Sequence, residues 1–194
     1  MSLARQAKVL SEGQVRAMLS YIDTKPTADR DKVMVLLSVR LGLRAKEIAS
    51  AKWSMLTDAQ GQLGDVLALP NVASKGKHGG RELPLPRELR AALATLYGSG
   101  KPAGECLILN TRDQALGANG VAVWFGRLYK ALGFEGCSSH SGRRSAITAW
   151  ARGITAAGGS LRDVQHLAGH ASLDMTSRYV ERSPDAIRRL LGAA

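Results

Sequence analysis

Cysteine, acidic residues and long apolar segments are all scarce in this 194-residue sequence. Its two cysteines, Cys106 and Cys137, are too few for a disulfide scaffold, and they match no metal-ligand spacing. No apolar run is long enough to span a bilayer, and the N-terminal residues lack the apolar stretch of a secretory signal. These absences argue against a disulfide-rich secreted protein and against a membrane protein, and they predict a cytoplasmic one.

Basic residues far outnumber acidic ones. The chain has 27 Lys and Arg against 16 Asp and Glu, which gives a formal net charge of +11. Such an excess favours a polyanionic partner, with nucleic acid first and an anionic membrane surface second. A basic surface without a ligand is the alternative interpretation. The hydrophobic fraction of 45% is normal for a globular protein, and the length suits one domain with its own core.

The pattern of apolar residues predicts a mainly helical protein with one small antiparallel β-hairpin, an α+β fold. The first helix is predicted to start at Ser11, which has capping-box spacing to Gln14. A strongly apolar helix is predicted to end at Gly42, and Gly169 to end a shorter one. Residues 65–85 predict the hairpin, with a loose tip. Further helix starts are predicted at Asn119, Ser141, Ser160 and Ser172.

Two arginines are the first candidates for an anion site. Arg44 follows the apolar helix, so we expect it to be half-buried, an unusual environment for a cation. Glu47, three residues later, has the spacing to pair with Arg44, and a purely structural salt bridge is the alternative interpretation. His140 and Arg143 lie one turn apart at a predicted helix start, where backbone N–H groups attract anions. A solvated surface pair is the alternative there.

The tip of the predicted hairpin is glycine-rich and cationic. It contains Lys75, Lys77, His78 and Arg81. A mobile tip of this kind can fold over a phosphate, while a solvated loop is the alternative interpretation of the same charges.

His170 and Tyr179 are nine residues apart, in the stretch QHLAGHASLDMTSRYV. Nine residues are about two and a half helical turns, so on one straight helix the two side chains would face opposite sides. Gly169 breaks the helix directly before His170, which allows two helices to meet there. We therefore expect both side chains to approach one site. For Tyr179 alone, ordinary packing in a helix is the alternative.

Four short motifs and a tyrosine follow one another in a definite order. They are LGLRAKEI, SKG, HSGR and LAGH, and Tyr179 comes nine residues after the last histidine. In this order they resemble the catalytic domain of the tyrosine recombinase (phage integrase) family, from about residue 11 to the C-terminus. The resemblance implies a site-specific DNA recombinase or integrase that cleaves and rejoins strands through a covalent 3′-phosphotyrosine. A topoisomerase IB-like nicking-closing enzyme and a catalytically idle DNA-binding protein are the alternatives.

The resemblance also implies catalytic roles for individual residues. Arg44 and Arg143 correspond to the pair that clamps the scissile phosphate, and Tyr179 to the nucleophile. Lys75 corresponds to the hairpin lysine that protonates the leaving 5′-oxygen. His140 corresponds to a histidine that binds the phosphate or moves the proton of the nucleophile.

Further residues receive phosphate-bracing, supporting or DNA-binding roles. His170 corresponds to the second histidine, which braces the phosphate, and Glu47 to an acidic residue that supports the first arginine. Lys77, Arg81 and Arg144 are predicted to contact DNA.

The resemblance implies double-stranded DNA as the partner and a tetramer on paired sites, with a monomer as an option for the free chain. It implies no metal and no other cofactor, and a bacterial or phage-encoded protein associated with the nucleoid. We expect residues 1–194 to form a single catalytic domain, with a core at about 11–183, a C-terminal helix or tail at 184–194 and no N-terminal core-binding domain. The chain departs from the family pattern at Gly142 and Arg144, where the family usually has Leu and often His.

Overall fold

Helices form most of the chain that the structure describes. The structure is a computed structural model, and it describes residues 7–70, 80–98, 105–180, 188 and 191–192. The elements in chain order are α1 (Glu12–Asp23), α2 (Ala28–Val39), α3 (Ala45–Ser50), a 3-10 turn (Trp53–Met55), β1 (Val66–Leu69), β2 (Arg81–Pro84), α4 (Arg87–Gly98), α5 (Ala118–Ala131), α6 (Ser141–Gly153), α7 (Leu161–Ala168) and α8 (Leu173–Ser177). Along these ranges, none of the helices has the length and apolar character of a transmembrane segment.

The two strands form the predicted antiparallel hairpin. Their register runs from the pair Val66 and Pro84 to the pair Leu69 and Arg81. Alternate side chains of β2 are buried, so one face of the ribbon packs on the core. The tip of the hairpin at 71–79 lies outside the described residues, and Lys75, Lys77 and His78 lie in it.

The main core surrounds α2. All side chains from Val33 to Leu37 in this helix are fully buried, as expected for a helix that is apolar on every side. Helices α1, α4 and α6 pack against α2. Placing α2 at the centre fixes the loop that follows it, which contains Arg44.

A second, smaller apolar cluster lies under α6 and α7. Its buried residues are Ile147, Val164 and Ala168, and Trp150 and Tyr179 pack partly against it. The segment with His170 and Tyr179 is therefore held by fewer apolar contacts than α2 is.

Most of the predicted helix ends are confirmed. Ser11 and Gln14 form both bonds of a capping box, and α6 begins at Ser141. The last helical residue of α2 is Val39, and Gly42 turns the chain away in the left-handed conformation with φ 59°. The Leu43 N–H donates to the Leu37 carbonyl at 3.0 Å, which completes a glycine-terminated helix end.

The predicted start of α5 at Asn119 is wrong. The helix begins at Ala118, and Gly117 is its N-cap. The Val121 N–H donates to the Gly117 carbonyl at 3.0 Å, so the helical hydrogen bonds begin two residues before Asn119.

Candidate active site

A single open pocket of about 340 Å³ gathers most of the residues that the sequence singled out. Five of the six predicted catalytic residues line it, namely Arg44, His140, Arg143, His170 and Tyr179. Arg144 lines it as well. The sixth, Lys75, lies outside the described residues, as does Lys77. The elements that meet here are the loop after α2 and the first turns of α3 and α6, with the α7–α8 junction opposite.

Arg44 is the N-cap of α3 and is tied to Glu47 in two ways. The Arg44 backbone N–H donates to Glu47 Oε2 at 2.7 Å, and the Arg44 Nη1 donates to Glu47 Oε1 at 3.1 Å. Glu47 is buried, while the Arg44 side chain keeps 21% of its surface exposed. The predicted ion pair is therefore present, and it holds the guanidinium of Arg44 at the pocket wall with part of its surface open.

Arg143 lies in the first turn of α6 and is almost completely buried. Its Nη1 donates to the Gly42 carbonyl at 2.6 Å, and its Nη2 to the Ala168 carbonyl at 2.7 Å. Burial first, and then the neighbouring Arg44, lower the pKa of Arg143 to about 10, so it stays a cation at neutral pH. Two backbone carbonyls from distant segments thus fix the orientation of a charged group at the pocket.

His170 follows Gly169, which ends α7 in the left-handed conformation. The His170 ring is buried, and its Nδ1 lies 2.9 Å from the Thr176 Oγ1. Burial first, and then Arg143, Arg44 and Arg81, lower the pKa of His170 to about 4. The imidazole is therefore neutral at neutral pH.

Tyr179 stacks against His170. The two ring centroids are 5.6 Å apart and the ring planes differ by 23°. The helix break at Gly169 brings the two residues together, which confirms that they approach one site. The helix predicted to start at Ser172 does not reach Tyr179, because α8 ends at Ser177 and Tyr179 follows it. Its N–H donates to the Thr176 carbonyl at 3.0 Å, so it lies on a turn that continues from the helix.

Comparison with known proteins identifies the family of this chain. The model of the phage integrase family matches residues 8–185 of the chain. The chain belongs to the phage integrase family. The matched residues include all those that line the pocket from Arg44 to Tyr179.

Curated relatives within this family match across nearly all of the chain. The integrase/recombinase y4rA of Sinorhizobium fredii, so named provisionally, is 27% identical over an alignment of 197 residues that covers 97% of this chain and 45% of that protein. The tyrosine recombinase XerA of Thermococcus kodakarensis is 26% identical over an alignment of 185 residues that covers 94% of this chain and 61% of that protein. The chain therefore spans between about half and three fifths of the length of these relatives.

Solved structures of integrases and recombinases share the fold. The integrase of transposon Tn1549, solved with transposon right end DNA, gives a TM-score of 0.76 at 20% identity, over 99% of this chain and 67% of that one. The crystal structure of XerA recombinase gives a TM-score of 0.70 at 20% identity, over 95% of this chain and 64% of that one. The predicted fold class, a mainly helical phage integrase catalytic domain with a small sheet, is confirmed.

Arg81 does not lie where the sequence suggested. It was expected on the exposed tip in contact with DNA, but it is the first residue of β2 and its side chain is only 4% exposed. Its pairing with Leu69 puts it on the buried face of the hairpin. There its Nη2 lies 3.1 Å from Glu47 Oε1, and burial lowers the pKa of Arg81. The prediction that Arg81 is exposed is therefore wrong, and the residue does not lie where a direct contact with DNA requires it.

The site is strongly electropositive. Arg44, Arg81 and Arg143 surround one buried carboxylate, that of Glu47, and the neutral His170 adds no negative charge. Guanidiniums bind the oxygens of a phosphate through paired hydrogen bonds. Among the described residues, the pocket therefore has the charge and the donors of an anion site, and a phosphodiester fits both.

His140 and Arg144 also line the pocket, and they differ in exposure. His140 is the exposed N-cap of α6, and Arg144 follows Arg143 in the first turn. His140 is exposed and Arg144 is half-buried.

Sequence reasoning missed Thr176, Met175 and Arg178. The last two line the pocket, and Thr176 is fully buried against His170. A threonine three residues before a tyrosine is not distinctive as a residue type, so its role becomes visible only from the ring contact.

Proposed function

We propose that this chain carries the catalytic site of a site-specific DNA recombinase that cleaves and rejoins strands through a 3′-phosphotyrosine at Tyr179. The observation that carries the proposal is the convergence of Arg44, Arg143, His170 and Tyr179 on one pocket. Arg44 lies 99 positions before Arg143 and 135 positions before Tyr179 in the sequence. Family membership and DNA-bound structural neighbours support the same activity.

The arginines supply the first part of the mechanism. A phosphodiester is anionic and repels a nucleophile, so cations that bind its non-bridging oxygens lower the barrier to attack. Arg143 is already fixed by two carbonyls, so it needs little reordering when the phosphate arrives. In the pentavalent transition state, Arg44 and Arg143 offset the added negative charge.

Tyr179 then attacks the phosphorus. A phenol with a pKa near 10 is a weak nucleophile at neutral pH unless cations stabilise the phenolate, and Arg143 interacts electrostatically with Tyr179. Tyr179 gives up its phenolic proton, a transfer in which we place His140, and its oxygen forms a bond to phosphorus as the bond to the 5′-oxygen of the DNA breaks. The leaving oxygen takes up a proton, the role we assign to Lys75.

The covalent intermediate retains the energy of the phosphodiester. The 5′-hydroxyl of another strand can therefore attack the phosphotyrosine, release Tyr179 and complete the exchange. Exchange between two duplexes needs two sites and two strands at each, so we propose a tetramer on paired DNA.

A covalent-adduct assay tests the proposal. Duplexes that bind Tyr179→Phe are first selected from a random library, then nicked near the bound site so that cleavage traps the enzyme. We expect a protein–DNA adduct on a denaturing gel with the wild type and none with Tyr179→Phe. Tyr21→Phe is the matched control, because Tyr21 lies on α1 away from the pocket.

The outcomes separate the alternatives. DNA binding without an adduct at any selected site supports a catalytically idle DNA-binding protein and overturns the proposal. An adduct with relaxation of supercoiled DNA, but without joining of strands from two sites, supports a nicking-closing enzyme instead.

A further inference from the structure

Thr176 is in contact with the ring of His170, and both side chains are buried. The Thr176 side chain is fully buried in α8, and His170 keeps only 7% of its surface exposed. The Thr176 Oγ1 and the His170 Nδ1 are 2.9 Å apart. A hydrogen bond at this distance between two buried groups restrains the ring, because water does not compete for either partner.

The direction of this hydrogen bond follows from the fact that the buried hydroxyl proton requires an acceptor. A threonine hydroxyl has one proton to donate, and a buried donor without an acceptor is costly. Within the part of the chain that the structure describes, the His170 Nδ1 is the hydrogen-bond partner recorded for Thr176 Oγ1. If Nδ1 carried a proton and donated it to Thr176, the hydroxyl proton would have no acceptor. The hydroxyl therefore donates, and Nδ1 accepts through its lone pair.

A neutral imidazole carries one proton, so an accepting Nδ1 leaves the proton on Nε2. We infer that Thr176 is a positioning residue that fixes His170 as the tautomer with an N–H at Nε2, directed to the phosphate in the pocket. The inference rests on the proposed function for the identity of that phosphate. The low pKa of His170 supports it, because a protonated ring would present N–H at both nitrogens and could not accept from Thr176.

Thr176 also links the histidine to the segment that carries the nucleophile. It lies three residues before Tyr179, and its carbonyl accepts the Tyr179 N–H at 3.0 Å. The same residue thus holds the His170 ring through its side chain and the turn of Tyr179 through its backbone. A change at the hydroxyl is expected to disturb the ring while leaving the backbone bond in place.

The tautomer is measured directly by nitrogen NMR of the imidazole rings at neutral pH, without DNA. The His170 signals are assigned by their loss in His170→Gln. In the wild type and in Thr176→Ser, we expect a protonated Nε2 and an unprotonated Nδ1. In Thr176→Val, which keeps the branched shape without the hydroxyl, we expect signals shifted toward a mixture of the two tautomers. A wild-type ring with its proton on Nδ1 overturns the inference, whatever the activity.

The rate of adduct formation is the second measurement. We expect Thr176→Val to slow adduct formation by about ten- to a hundredfold, the usual range for residues that orient a functional histidine, and Thr176→Ser to restore most of the rate. Thr148→Val is the matched control, because Thr148 is also a buried threonine but lies in α6 and outside the pocket. Its rate is expected to stay close to the wild-type rate.

A double-mutant comparison decides whether Thr176 acts through His170. In a His170→Gln background, the additional effect of Thr176→Val should be small, because the residue it positions is already gone. Full additivity of the two effects assigns Thr176 a separate structural role and overturns the inference.

If Thr176→Val does not fold, the wild-type spectrum and Thr176→Ser still decide the tautomer. If the wild type forms no adduct on any DNA, the proposed function fails, while the spectrum still decides the inference about the ring.

Discussion

Gly169 ends α7 with φ 60°, directly before His170, and two separate constraints act on it. The left-handed conformation disfavours any residue with a Cβ. In addition, a Cβ added here would overlap the guanidinium of Arg81. The backbone at Gly169 and the buried Arg81 are therefore packed against each other, which ties the hairpin to the segment that carries His170.

Gly169→Ala is expected to destabilise the protein by more than its backbone conformation alone requires. The left-handed conformation costs about 1 kcal/mol, and the overlap with Arg81 adds about 1–3 kcal/mol for overpacking. Gly133→Ala is the matched control, because Gly133 has φ 68° but no atom within 4 Å of the added Cβ. Urea denaturation measures the free energy of unfolding of both variants. Equal losses of unfolding free energy in the two variants would show that the contact with Arg81 carries no strain.

The pH dependence of stability should report the environment of His170. Its pKa is lowered to about 4 in the folded protein, against an ordinary value of about 6.5. Between these values the unfolded chain binds a proton that the folded chain does not. The free energy of unfolding therefore falls as the pH drops from about 6.5 to about 4, and this contribution levels off below that.

We expect His170→Gln to remove this part of the pH dependence in urea titrations between neutral and mildly acidic pH. The exposed His166, replaced by Gln, is the matched control. An unchanged acid dependence in His170→Gln contradicts the burial of a neutral ring.

Helices α2 and α6 approach each other closely at one point. A Cβ added at Gly142 would lie 3.0 Å from the Ser38 Cβ and would overlap the Ser38 Oγ. This contact explains why glycine stands where the family pattern usually has a leucine. Because Arg143 is the next residue, the approach of these two helices also sets the position of a phosphate-binding candidate.

Gly142→Ala is expected to lower the free energy of unfolding by about 1–3 kcal/mol, because it forces α2 and α6 apart. Ser38→Gly should recover part of that loss in the double variant, because it removes the opposing side chain. Gly153→Ala, in the same helix with nothing near the added Cβ, is the control and should be neutral or stabilising. A stable Gly142→Ala with unchanged adduct formation contradicts a tight contact between the helices.

The elements were predictable from the sequence where local chemistry determines them. Ser11, Gln14 and Gly169 act through their own neighbours in sequence, so capping and termination rules place them correctly. The start of α5 was wrong because Gly117, which has no capping side chain, takes the N-cap position that was predicted for Asn119.

The candidate site was predictable to a similar extent. The motif order identified most of the residues that line the pocket, but not Met175 or Arg178, nor the contacts behind the predicted residues. Arg81 faces inward because of its strand register with Leu69, and Thr176 matters because of a ring on another segment. Neither relation is visible in residue type or spacing, since both depend on how separate elements pack.

At the scale of the whole molecule, the site lies between two apolar clusters of unequal size. Arg44 follows the large cluster around α2, whereas His170 and Tyr179 are attached to the small cluster of Ile147, Val164 and Ala168. The hydrogen bonds of Arg143 to the carbonyls of Gly42 and Ala168 connect the two clusters. Among the described residues, little apolar burial holds α7 and α8, so this part of the site is expected to open more easily than α2.

Native-state hydrogen exchange tests this difference. We expect amides of α2 to exchange only through global unfolding, and those of α7 through a local opening of lower free energy. Val164→Ala should lower the opening free energy of α7 by about 1–3 kcal/mol with less effect on α2, while Val33→Ala in α2 is the control that lowers global stability. Bound DNA should raise the protection of α7, because a phosphate held by Arg44 and Arg143 links the two parts of the site. Equal protection of α2 and α7 in the free protein would mean that the nucleophile segment unfolds only together with the main core.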